Sequence, residues 1–204
     1  MKKVCDNWNQ AFQKGRTGLE FFPEFEMRAK NAAAEVIRVK TLVEAKNAAV
    51  DLIKQSGAKK VVAVECPLQR AAGIHQAIQE LGTELHSAAA DIAAHAATAD
   101  IGISGVEFGV AETGSVCLDA YSIESRLVST LPPIHVVFMN SNNVVPDIAA
   151  AFEIFSQVFE RGYISLITGP SRTADIERVL TIGVHGPSRF VIIAVDEEIT
   201  GGEA

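Results

Sequence analysis

The chain has 204 residues, 48% of them hydrophobic and 21% charged, enough for one well-packed domain and too apolar for a disordered segment. Its net charge of −7, with no basic stripe interleaved with aromatics, argues against nucleic acid as a partner. Three dispersed cysteines, Cys5, Cys66 and Cys117, exclude a disulfide framework and a self-contained zinc or iron–sulfur ligand set, and they suit a reducing cytoplasm.

Residues 1–34 read as an N-terminal helical arm ahead of a domain over residues 35–204. The start Met-Lys-Lys lacks the apolar core of a signal peptide, and no apolar run approaches the ~20 residues of a membrane span. Phe12, Phe21, Phe22 and Phe25 surround Pro23 and are available to pack on the domain or on a partner. Glu35–Val39 is a short strand, and Thr41-Leu-Val-Glu44 is a capping box that starts a helix with Leu42, Ala45, Ala49, Leu52 and Ile53 on one face. Gly57 ends that helix. Val61–Val64 then reads as strand, Pro67–Leu81 as helix, Thr83–His86 as strand and Ala88–Ala97 as helix.

Ile101–Leu118 is both glycine-rich and strand-like, which marks bends or close backbone approach. Ile134–Met139, Ile164–Thr168 and Phe190–Val195 are continuous apolar runs, expected of parallel strands covered on both faces. A helix from Pro146 to Arg161 puts Ile148, Ala151, Phe152, Phe155, Val158 and Phe159 on one stripe. Alternating strands and helices give an α/β fold with a mostly parallel central sheet flanked by helices.

The stretch Thr168-Gly-Pro-Ser-Arg-Thr follows an apolar run and reads as the opening of a helix. Its unpaired N–H groups can receive a carboxylate or phosphate, and Arg172 can add a forked contact. Alternatively Ser171 or Thr173 caps the helix, with Asp175 and Glu177 complementing its dipole. In such a sheet ligands gather beyond the carboxyl ends of the strands, where Glu112-Thr-Gly-Ser115 would be well placed. Glu112 reads either as a nucleophile or base or as a brace for the glycine turn. His185, in a loop between glycines, is an acid–base candidate, and His135 is either a ligand contact or a hydrogen-bonded residue at a strand edge. Arg126 clamps an anion or pairs with Glu124 on a helix surface. Neither a dinucleotide fingerprint nor a P-loop occurs, and His86, Asp91 and His95 lack metal-ligand spacing and read as a solvated helix face.

Taken in order, Ala111-Glu-Thr-Gly-Ser115, Arg126 to His135, Val145-Pro146, Thr168–Glu177 and Gly183-Val-His-Gly-Pro187 resemble the LUD, or lactate utilization, domain family, in particular its short LutC-type members. The resemblance covers about Glu35 to Asp196. It implies a fold like the NagB/RpiA/CoA-transferase group and a role in oxidising L-lactate to pyruvate. The iron–sulfur clusters would sit in partner subunits, and this chain would carry no cofactor or metal. It further implies a shared cleft for a small carboxylate or phosphorylated ligand. That cleft would be formed by Glu112, Thr113, Gly114, Ser115, Arg126, His135, Thr168, Gly169, Ser171, Arg172, Thr173, His185 and Gly186. A free-standing sugar-phosphate isomerase or CoA-transferase-like enzyme using Glu112 is the alternative.

Overall fold

The computed structural model describes residues 11–12, 15–158, 162–174 and 180–199. A six-stranded, all-parallel sheet runs in the spatial order β1 (Glu35–Val39), β12 (Arg189–Val195), β7 (Ile134–Asn140), β4 (Ile101–Gly105), β2 (Lys60–Ala63) and β3 (Glu84–His86). Side chains alternate between its faces, and both faces are covered, so the central strands read as unbroken apolar runs. On one face Val136, Phe138, Val191 and Ile193 meet α2 (Leu42–Ser56), α3 (Pro67–Ala72) and α4 (Ile74–Glu80). On the other, Val137, Met139 and Ile192 meet Phe22, Phe25 and Ala29 of α1 (Phe22–Asn31).

The helix starts follow local chemistry. Thr41 Oγ1 accepts the Glu44 N–H while the Glu44 carboxylate accepts that of Thr41, the reciprocal box expected of this spacing. Gly57 ends α2 at a φ of 65°. The expected single helix over Pro67–Leu81 is two, because Gly73 adopts a φ of 67° and turns the chain between α3 and α4. On the face shared with α1, α5 (Ala89–His95) and α6 (Ile123–Thr130) bury Ile92 and Val128 against Val62.

A second, four-stranded sheet has the order β8 (Val144–Val145), β5 (Phe108–Val110), β6 (Ser115–Asp119) and β9 (Ile164–Ile167). β9, expected among the parallel strands, instead pairs antiparallel with β6 here, and Leu166 is exposed. α7 (Ile148–Val158) packs Ala151, Ile154, Phe155 and Val158 on this sheet. Phe152, assigned to the same stripe, points outward, 61% exposed, and Phe159 lies outside the described residues. A hairpin of β10 (Arg172–Ala174) and β11 (Leu180–Ile182) completes the structure. No helix among the described residues is long and apolar enough to cross a membrane.

Candidate functional site

The turn Glu112–Ser115 joins β5 to β6, and antiparallel pairing of Val116 with Ile167 sets Ser115 beside Thr168. Ser115 Oγ lies 2.7 Å from Thr113 Oγ1 and 2.6 Å from Thr168 Oγ1. Three hydroxyls carry three protons, and two hydrogen bonds among them use two. One O–H of the three therefore remains to donate to a further acceptor.

Two glycines bring these turns against the C-terminal end of α1. Gly114 has a φ of 67°, and a Cβ there would overlap the Ala29 backbone nitrogen. Gly169 has a φ of 75°, and its Cβ would overlap the Ala32 carbonyl oxygen. Arg172 Nη2 donates to that same Ala32 oxygen at 2.7 Å, a cation at the negative end of a helix. The expected helix start over this stretch is thus corrected. Thr168–Thr173 leads into the strand β10, whose Thr173 pairs with Thr181, and Arg172 serves the end of α1 instead. Asp175 and Glu177, assigned to the first turn of that helix, lie outside the described residues.

The loop before β12 is stitched to the same segment. Ser171 N–H donates to the Pro187 carbonyl and Gly183 N–H to the Ser171 carbonyl, each at 2.9 Å. Gly186 faces Ser171, so a Cβ there would stand 3.2 Å from the serine Cβ. Ser188 N–H reaches the Pro133 carbonyl, just ahead of β7. Ala32 likewise sits just ahead of β1. The motif loops therefore gather beside the amino ends of β1, β12 and β7, not beyond the carboxyl ends where the sequence placed them. His185 is exposed on this loop.

His135 is fully buried on β7, not at a strand edge, with its ring 5.4 Å from that of Phe190. Its Nε2 shares a 2.9 Å hydrogen bond with Ser104 Oγ, and its Nδ1 has no protein partner among the described residues. Burial lowers its pKa to about 3, so the ring is neutral at physiological pH. Ser104 escaped the sequence reading. Its only signal is a lone hydroxyl in the apolar strand Ile101–Gly105.

Glu112 is exposed, and its Oε2 accepts the Ile148 N–H at 3.0 Å, so the carboxylate caps α7. The protein's own side chain thus supplies an anion at a helix start. Arg126 is exposed on α6 with its guanidinium 5.4 Å from the Tyr163 ring centroid, a cation–π contact in place of the Glu124 pairing considered above. The structure accordingly joins Thr113, Gly114, Ser115, Thr168, Gly169 and Arg172 around α1, and Ser171 and Gly186 beside them. His135 is sealed beneath, and Glu112 is committed to α7.

These features define an α/β domain on a mostly parallel sheet. The fold matches the crystal structure of a DUF162 family protein from Deinococcus radiodurans with a TM-score of 0.61 at 19% identity, covering 86% of this chain and 96% of that one. The LUD domain model matches residues 22–195, and the chain belongs to that family. It is 28% identical over 196 residues to lactate utilization protein C of Halalkalibacterium halodurans, covering 86% of this chain and 85% of that protein. It is also 34% identical over 97 residues to lactate utilization protein C of Bacillus pumilus. That match spans less than half the relative's length, 40% of it.

Proposed function

We propose that this chain is a cytoplasmic, lactate utilization protein C-like subunit of a complex that oxidises L-lactate to pyruvate. The observation that carries this reading is the likeness to lactate utilization protein C along 86% of the chain. Oxidising a hydroxyl to a carbonyl releases two electrons and two protons. The dispersed cysteines supply no ligand set for a cluster, so iron–sulfur subunits take the electrons and this chain contributes binding and assembly. A small carboxylate or phosphorylated ligand accepts the remaining hydroxyl proton of the Thr113–Ser115–Thr168 chain. The engagement of Glu112 with α7 weighs against its acting as the nucleophile of a free-standing enzyme.

Capture of the tagged chain from lactate-grown cells tests the assembly. Iron–sulfur proteins with their visible absorption should co-purify in fixed ratio, and recovery of the chain alone would sink the reading. Thermal stabilisation by L-lactate, pyruvate, phosphate, sugar phosphates and CoA esters tests the ligand. A shift with one of them should be lost in Thr168→Val, and an equal shift in that variant would place the ligand elsewhere.

A further inference from the structure

Glu84 and His86 stand two residues apart on β3, so both side chains leave the same face of the sheet's edge strand. Their pairing with Lys60 and Val62 of β2 fixes where they stand. α5 packs on that face through buried Ile92, and Ala96 just after it joins the same cluster around Val62 and Val128. That anchoring carries His95, in the last turn of α5, over His86. The two imidazoles stack with centroids 3.7 Å apart and planes 11° from parallel. Glu84 Oε1 lies 2.7 Å from His86 Nε2, and one donor atom from each of Glu84, His86 and His95 falls within 4.8 Å of the others. Lys60 Nζ stands 3.9 Å from the other carboxylate oxygen, Oε2, and is the cation that faces the cluster.

We propose that Glu84, His86 and His95 bind one divalent ion of the zinc and copper class. Two imidazoles and a carboxylate are the donors such ions prefer, and a position left open takes water. Metal–ligand bonds of about 2.0–2.2 Å bring donor atoms to about 3–3.5 Å apart, so side-chain rotation closes the present spread without moving the backbone. Stacked rings hold their lone pairs parallel. Binding therefore turns His95 out of the stack until both nitrogens converge, and the ion replaces the proton shared between Glu84 and His86. The sequence paired the histidines with Asp91 on a presumed helix face. The stacking of His95 on His86, two residues along β3 from Glu84, brings Glu84 in place of Asp91 to the two histidines. This site is separate from the loops around α1 and does not depend on the lactate reading.

Tag-free full-length chain, kept reduced, is titrated with Zn2+ by calorimetry and with Cu2+ by electron paramagnetic resonance. One ion per chain, nitrogen coupling from two imidazoles, and loss of at least about tenfold in affinity in His86→Gln or His95→Gln are expected. His75→Gln, on α4 where its ring meets Glu65 instead of the cluster, should bind as the wild type does. Circular dichroism of each variant checks that it folds. Sulfur coordination, unchanged affinity in the folded His86→Gln/His95→Gln double variant, or no binding tighter than about 0.1 mM would each overturn the proposal.

Discussion

The two sheets meet along α1 but treat their polar side chains in opposite ways. In the parallel sheet, His135 and Ser104 are sealed together among apolar side chains, and burial holds the imidazole neutral. In the smaller sheet, Ser115 and Thr168 form a hydroxyl chain at the mouth of two turns whose position depends on backbone, through Gly114 and Gly169. One group of motif residues thus bears on stability through protonation, and the other bears on the docking of a helix through the absence of a side chain.

The largest effect expected from that contrast is at the glycines. Gly114→Ala must both adopt a left-handed backbone and push back the main chain of α1 at Ala29, which should cost about 3 kcal/mol or more in urea unfolding. Gly169→Ala, against the Ala32 carbonyl, should behave alike. Gly57→Ala and Gly82→Ala have the same sign of φ but open space around the new methyl, so each should lose only about 1 kcal/mol. Equal losses at Gly114 and Gly57 would show that α1 is not held against the turn in solution.

Next comes the sealed histidine. Its folded pKa, about 3, lies below the ordinary value, so the folded state binds fewer protons than the unfolded one. The neutral ring is tolerated fully above about pH 6.5, and stability is lost as the pH falls from there toward 3, by up to about 1.4 kcal/mol per pH unit. His75, also lowered chiefly by burial, acts in the same direction, and lowered Asp196 and Glu84 add to the loss at more acid pH. The measurement is therefore a difference: the pH slope of unfolding free energy in the wild type minus that in His135→Gln. A slope unchanged by the substitution would mean that the imidazole is charged or hydrated in the fold.

The parallel sheet was legible because its signals are local and redundant. A capping box, a left-handed glycine and doubly apolar strands each report one element without reference to the rest of the chain. The second sheet was not, because the antiparallel partner of Ile164–Ile167 is Ser115–Asp119, some fifty residues away, and an apolar run carries no mark of its partner's direction. The same limit governed the site. Glycine, serine and arginine in a turn suit an anion at a helix start, and they equally suit a backbone packed against another helix. Only the contact with Ala29 and Ala32 separates the two, and neither residue carries a side chain that announces it. His135 stood out in the sequence as a histidine opening an apolar strand, yet its burial depends on Phe190 and Ser104, brought to it by strand order.

A smaller effect is expected at Glu112. Glu112→Ala removes the acceptor for the Ile148 N–H and should cost about 1 kcal/mol, as loss of a helix cap does elsewhere. Glu112→Gln keeps an oxygen acceptor and should recover much of that stability. Equal stability of the alanine variant and the wild type would show that water replaces the cap and would return Glu112 to the list of groups open to a ligand.

The smallest effect, at Arg172, is the most discriminating. Its side chain is exposed, so the charge-assisted bond to the Ala32 carbonyl is worth only about 0.5–1 kcal/mol despite its 2.7 Å length. Arg172→Ala should therefore lower the stability of the ligand-free chain by that amount, and Arg172→Lys should restore part of it by keeping a cation at the end of α1. An arginine that served only to clamp an anion would give the opposite pattern: no change without ligand, and loss of the stabilisation that ligand provides. Measuring both variants with and without the stabilising anion separates the two roles. An additive loss in both states would assign Arg172 to the end of α1 and not to an anion.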